Sequence, residues 1–227
     1  MYVHDQSQLR AAARRLQRYR QQLRRHAAGQ SSAAEFGLAL ADNGLSSAGH
    51  GWTLAVALPH GMLTARQLRM LAYVARRWDK GYARLAGQHQ WHFDWPRLED
   101  TPRMLADLAT AQLYPAQAGA DLPAHHIRAP AYRPAPANPD HAPATPAFAR
   151  WLAAHAQPHH IDGYAGVTIP LQAGRITADQ MDALADLAQA YGHGELRAAP
   201  GSGLIFPDLP RASLFALWRQ LDVLNLA

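Results

Sequence analysis

Thr64-Ala65-Arg66-Gln67 and Thr177-Ala178-Asp179-Gln180 decide how this chain is read, because the second stretch stands 113 residues after the first and its surroundings repeat at that offset. Gly61 returns as Gly174, Leu71-Ala72 as Leu184-Ala185, Ala75 as Ala188, Gly81 as Gly194, Arg84 as Arg197 and Phe93 as Phe206. A pattern held in register over that distance is an internal duplication. In each copy an apolar run, Trp52 to Leu58 or Tyr164 to Leu171, precedes a Pro/Gly turn, after which the threonine is placed to cap a helix through its side-chain oxygen. The helices are expected to run to about Trp78 and Tyr191, where Lys80-Gly81 and His193-Gly194 supply the stop.

Two short strands follow in each copy, the second being Gln90 to Trp95 or Gly203 to Pro207, and a Pro-containing turn leads to a last helix of about ten residues. Each half therefore reads β-α-β-β-α. A unit of this size buries too little apolar surface to be robust alone, so the halves are expected to pack about a pseudo-twofold axis with a shared sheet. The fold class is α+β: two ferredoxin-like half domains, at 50–114 and 161–227, plus an N-terminal basic helical segment over 1–45. Between the halves, residues 115–160 hold eight prolines from Pro115 to Pro146, the composition of an extended linker, with a short helix near Thr145 to Ala156.

The chain has 227 residues, 48% of them apolar, and a net charge of +5. That charge is local. Residues 1–30 carry seven arginines against Asp5 alone, a balance of +6, so the remaining fifteen basic and sixteen acidic residues come to −1. A general nucleic-acid surface is not expected, and the arginines instead belong to an amphipathic helix over residues 7–27 whose apolar stripe is Leu9, Ala13, Leu16, Tyr19 and Leu23. No cysteine is present, which removes disulfides, zinc-thiolate sites and cysteine-ligated iron–sulfur clusters from these residues. No apolar run is long enough for a membrane span and Met1 leads into polar sequence, so a cytoplasmic protein without a membrane segment is expected.

The stretches Leu58-Pro59-His60-Gly61-Met62-Leu63-Thr64-Ala65-Arg66-Gln67-Leu68, Asp79-Lys80-Gly81-Tyr82-Ala83-Arg84-Leu85 and Phe93-Asp94-Trp95-Pro96-Arg97-Leu98-Glu99-Asp100 resemble the ferredoxin-like half domain of siroheme-dependent nitrite/sulfite reductases. The second copy, from Ile169-Pro170-Leu171 to Gly194-Glu195-Leu196-Arg197, resembles the same half domain as it recurs later in those enzymes. The resemblance implies siroheme, a four-iron cluster held by four cysteines, and larger domains after each half. These residues hold no cysteine, and the Pro-rich linker is too short and too poor in aliphatics to replace such a domain.

The family's anion-binding positions can be followed onto this sequence. Where a reductase carries arginine shortly before the Leu-Pro-x-Gly turn, the candidates here are Ala55 and Ala57. The motif resembling R-L-T-x-R-Q falls on Arg84-Leu85-Ala86-Gly87-Gln88-His89, keeping its first arginine and losing its second, and R-L-T-P-x-Q-N falls on Arg197-Ala198-Ala199-Pro200-Gly201-Ser202-Gly203, losing both amides. The candidate cofactor-binding residues by family position are thus Arg84, Gln88, His89, His92 and Arg197, with Arg128 at a further position where the surrounding match is weak. Siroheme has eight carboxylates and needs charge-assisted donors, which a loop of Ala, Gly and Ser does not offer.

Of thirteen histidines, His89 and His92 are three apart on a predicted strand, facing opposite sides and so ill placed to share a metal. His125-His126 and His159-His160 read as solvated surface, and no metal site is expected. His92 alone retains an axial-ligand reading, against the blander one of a polar residue on the strand. Trp91 and Trp95 read as core packing rather than as a stacking platform for a tetrapyrrole. Arg84 and Arg197 either hold an anion or pair with acids such as Glu195 and Asp186. No cofactor is therefore expected on this chain alone, although the resemblance leaves siroheme open. The functional expectation is a non-catalytic relative that binds, with a siroheme reductase or related subunit as partner, in sulfite or nitrite assimilation. The alternative is one component of a split reductase completed by another chain.

Overall fold

The computed structural model describes residues 6–49, 51–87, 89–116, 145–199, 201 and 203–227. The first half runs α1 (Gln6–Ala27), α2 (Ala33–Asp42), β1 (Leu45–Ala48), β2 (Gly51–Ala57), β3 (Met62–Thr64), α3 (Ala65–Trp78), β4 (Tyr82–Ala86), β5 (Gln90–Phe93), α4 (Thr101–Thr110) and β6 (Tyr114–Pro115). The second runs α5 (Pro146–His155), β7 (Ala156–Pro158), β8 (Tyr164–Pro170), β9 (Arg175–Thr177), α6 (Ala178–Tyr191), β10 (Glu195–Ala199), β11 (Gly203–Pro210) and α7 (Leu214–Val223). Both α5 and β7 lie inside the stretch read as linker, yet β7 pairs with β8 and belongs to the second half.

The expectation of one shared sheet is corrected. There are two sheets, β1-β2-β5-β4-β9 with β6 alongside β2, and β3-β10-β11-β8-β7. Each half sends one three-residue strand into the other's sheet, β3 onto β10 and β9 onto β4. The cause is local. The Pro/Gly turn continues through a pair of left-handed residues, His60 (φ 54) with Gly61 and Ala173 (φ 52) with Gly174, which throw the chain across the pseudo-dyad before the helix begins.

The helix starts form as the sequence dictates. Thr64 Oγ1 accepts from the Gln67 backbone N–H at 3.2 Å while Gln67 Oε1 accepts from the Thr64 N–H at 3.0 Å, and Thr177 and Gln180 repeat both bonds. The glycine stops do more than end helices. Gly81 and Gly194 have φ of 78° and 74°, which turns the Gly194 carbonyl to accept from Ala65 N–H at 2.8 Å and the Gly81 carbonyl to accept from Ala178 N–H at 2.9 Å. Each copy thereby caps the other's helix.

Helices α3 and α6 cross antiparallel at the dyad with Leu71, Ala75, Leu184 and Ala188 fully buried. Arg69 pairs with Asp186 at 2.6 Å, and Arg76 reaches Asp179 at 2.7 Å and Asp182 at 2.6 Å. The copies have diverged to opposite charge here, α3 carrying arginines where α6 carries aspartates. Helix α1 docks on α4, with Leu16 and Leu23 packed against the core and Tyr19 fully buried, its hydroxyl 2.8 Å from Thr101 Oγ1. Ala13, counted in its apolar stripe, is exposed, and the neighbouring Ala12 is half-buried instead; the Leu9 side chain lies outside the described residues. Helix α2 opens with a capping box between Ser32 and Glu35.

Candidate binding face

Because side chains alternate along a strand, each sheet has an inner face against the helices and an outer one. In the first sheet Leu54, Val56, Leu85, Trp91, Phe93 and Ile176 are inside. The outer face carries, in one row across four strands, Ala55, His92, Arg84 and Arg175. Ala57, Gln90 and Ala86 form the row beside it. The equivalent row of the second sheet is Thr168, Ile205, Arg197 and Met62. Of the residues at equivalent positions only the central arginine is common to both.

Arg84 is not available to a ligand as a free cation. Its Nε donates to Asp94 Oδ2 at 3.1 Å and its NH2 to Asp94 Oδ1 at 3.0 Å, a two-bonded pair of high geometric quality. Thr53 Oγ1 donates to Asp94 Oδ1 at 3.4 Å. His92 Nδ1 lies 3.3 Å from Arg84 NH2, and His92 Nε2 lies 3.1 Å from Gln90 Oε1. Since guanidinium only donates, Nδ1 accepts and Nε2 carries the proton toward Gln90. Both ring nitrogens are engaged, which leaves no lone pair for an axial bond.

Burial, then the Arg84 charge, pushes the His92 pKa down and keeps the ring neutral. Partial burial works against ionisation of Asp94, but the Arg84 hydrogen bonds and charge outweigh it and hold the carboxyl below its usual range. A depressed carboxylate adds stability above its ordinary pKa and loses it as pH falls through the lower folded value. Asp94→Asn is therefore expected to cost about 1 kcal/mol at neutral pH, the pair being partly exposed, with the gap to wild type closing below about pH 4. Urea denaturation of both proteins across that range checks it, and a gap independent of pH would contradict the pair.

The other expected residues divide. Asp186 pairs with Arg69 and not with Arg84 or Arg197. Arg197 is exposed, and no hydrogen bond or ion pair engages it among the described residues. His89 is not on the strand: it stands in the turn before β5 at φ 56, with its ring over Gly61. Gln88, Arg128 and His125-His126 lie outside the described residues. His159, read as solvated, is instead largely covered, with Nε2 2.9 Å from Asp208 Oδ1 and Nδ1 accepting from Ile161 N–H at 3.0 Å. Trp91 is fully inside, whereas Trp95 follows the strand, donates to Tyr82 OH at 2.8 Å and lies under Lys80 Nζ at 3.4 Å from its ring centre.

Sequence reading missed Asp94 and Arg175. Asp94 was within reach as a same-face neighbour of His92, standing two residues after it, but its pairing with Arg84 follows from the hairpin register that sets Arg84 opposite His92. Arg175 was not, because only the strand exchange brings it beside Arg84, where it turns over the Tyr82 ring at 4.2 Å. Among the described residues no group of three His, Asp or Glu side chains could hold a metal, and no helix is long and apolar enough to cross a membrane.

The profile of the nitrite/sulfite reductase ferredoxin-like half domain matches residues 46–111 and again 157–224. The chain belongs to the nitrite/sulfite reductase half-domain family. The chain is similar to the chloroplastic ferredoxin–nitrite reductase of Betula pendula, 41% identical over 66 residues, or 29% of this chain and 11% of that protein. The NirA protein of Mycobacterium tuberculosis shares the fold at a TM-score of 0.55 and 14% identity, over 77% of this chain and 57% of that one. The chain thus spans about a tenth of the curated relative it matches, and the two matched half domains coincide with the two exchanged-strand units.

Proposed function

We propose that this chain is a non-catalytic member of the family that acts by binding, as an accessory to a siroheme reductase or related subunit in cytoplasmic sulfite or nitrite assimilation. The observation that carries the reading is the closed Arg84–Asp94 pair at the centre of the outer face. Siroheme, the cofactor that the family resemblance implies, presents eight carboxylates. Against them stand Ala55 and Ala57, an arginine already neutralised by Asp94, a neutral His92 with both nitrogens engaged, and an Arg175 lying over Tyr82. That donor set does not fit a polyanionic tetrapyrrole. With no cysteine in these 227 residues, a four-iron cluster would take its thiolates from elsewhere.

A second reading, one component of a split reductase, draws on Arg197, which keeps the family position and is unpaired among the described residues. Assays with siroheme, a reduced viologen dye and either sulfite or nitrite separate the two. No substrate consumption is expected from this chain, alone or mixed with a cysteine-containing cluster protein of the family deprived of its own half domains. Turnover in the mixture that is lost in Arg197→Ala would overturn the non-catalytic reading in favour of the split enzyme.

A further inference from the structure

The densest charge in the molecule lies on α1, outside the two matched half domains. At about 100° per residue, Arg20, Arg24, Arg10, Arg14 and Arg18 follow one another around the helix in steps of about 40°, a fan covering roughly 160°. Ala12, Tyr19, Leu23 and Leu16 occupy the opposite arc and dock on the protein. All five arginines are exposed, and none has an acidic partner among the described residues; Arg24 Nε donates only to the Arg20 carbonyl, at 3.3 Å. Three of their pairs, Arg10–Arg14, Arg14–Arg18 and Arg20–Arg24, are one turn apart and repel, and the first turn contains no acid to offset them. Arg24 lies in the last turn, where the helix dipole favours a cation, but the fold gains no ion pair from this arrangement among the described residues. It is nonetheless held in place, because Tyr19 is bonded to Thr101 inside the core.

Beside the fan, α1 and α2 enclose a groove of about 290 Å³ lined by Gln22, Arg25, Phe36, Leu38 and Ala39 among others, and Leu38 is 70% exposed there. Arg25 stands near enough to Glu35 to help hold that carboxyl below its usual range, behind the Ser32 hydrogen bonds that do most of this.

We propose that the α1–α2 face docks an acidic protein segment carrying an apolar side chain: its carboxylates meet the arginine fan and the apolar side chain enters the groove against Leu38. Charge complementarity commits the partner to be acidic, and the groove commits it to be protein. A nucleic acid fits this face less well, since its unbroken line of phosphates would run against Glu35 and Asp42 on α2 and find no use for Leu38. The surface goes beyond the accessory reading and does not depend on what the sheets bind.

Fluorescence anisotropy of the full chain tests it with three labelled probes of equal charge: an all-glutamate peptide, the same peptide with one central leucine, and a single-stranded oligodeoxynucleotide. The leucine peptide is expected to bind about fivefold tighter than the all-glutamate one, and to weaken by about tenfold or more between low and physiological salt. R14Q/R18Q should lose about tenfold for both peptides, L38S should erase only the leucine preference, and R219Q on α7 should change nothing. Tighter binding of the oligonucleotide, or unchanged peptide binding by an R14Q/R18Q protein with wild-type helix content, would overturn the proposal. If that variant fails to fold, amide exchange of the wild type decides instead: the leucine peptide must slow exchange in α1 and α2, and absence of that protection counts against the docking face.

Discussion

Trp91→Ala is expected to lower the free energy of unfolding by about 3–5 kcal/mol, enough to leave little of the native state of a marginally stable domain. Trp91 is fully buried on the inner face of β5, in the same core as Leu54, Val56 and Phe93, so truncation leaves a large cavity that the sheet cannot collapse. Its indole N–H is buried without a partner. Trp91→Phe removes that orphan donor along with part of the ring, and the gain offsets some of the lost packing, so this variant is expected to cost well under half as much. Denaturant midpoints with an unchanged slope measure both effects. A Trp91→Ala protein as stable as wild type would mean that the side chain does not pack where β5 puts it.

Raising the pH above 10 is expected to destabilise the wild type more than Tyr19→Phe. Burial pushes the Tyr19 phenol from 10 up to about 12, against a smaller opposing pull from the Thr101 hydrogen bond. The unfolded chain gives up this proton first, so the contribution is complete below pH 10 and is lost as pH rises through about 12. At about 1.4 kcal/mol per unit, the loss approaches 3 kcal/mol. At neutral pH the same substitution costs only about 1 kcal/mol, because Thr101 Oγ1 still donates to the Leu98 carbonyl at 2.7 Å. Tyr114, also raised by burial, is common to both proteins and cancels in the difference. Parallel loss of stability in the two proteins would show that α1 does not hold Tyr19 in the core.

The duplication was legible because its signals are local. Thr64 and Thr177 cap helices wherever the rest of the chain goes, and Gly81 and Gly194 end them by a backbone conformation that needs no tertiary partner. What those glycines do next was not legible, since their carbonyls cap the opposite half's helix only once the two copies meet. The strand exchange stayed hidden for a related reason: Met62–Thr64 and Arg175–Thr177 are too short to show an alternating pattern. Helix α2 was within reach through Ser32 and Glu35, a capping-box pair lying inside the stretch assigned to the N-terminal segment. The losses at Ala55 and Ala57 on the binding face could be read residue by residue, as could the replacement by Gln88 in the sequence. Whether Arg84 remained a free cation could not, because that depended on the hairpin register that sets Asp94 beside it.

Titrating the purified chain with siroheme while recording the visible spectrum is the most direct measurement. With Arg84 closed by Asp94 and alanines on β2 beyond β5, the Soret band is expected to stay where free siroheme has it at every protein concentration. A saturable shift that disappears in Arg84→Ala or Arg197→Ala would contradict this, and would return the outer face to the cofactor.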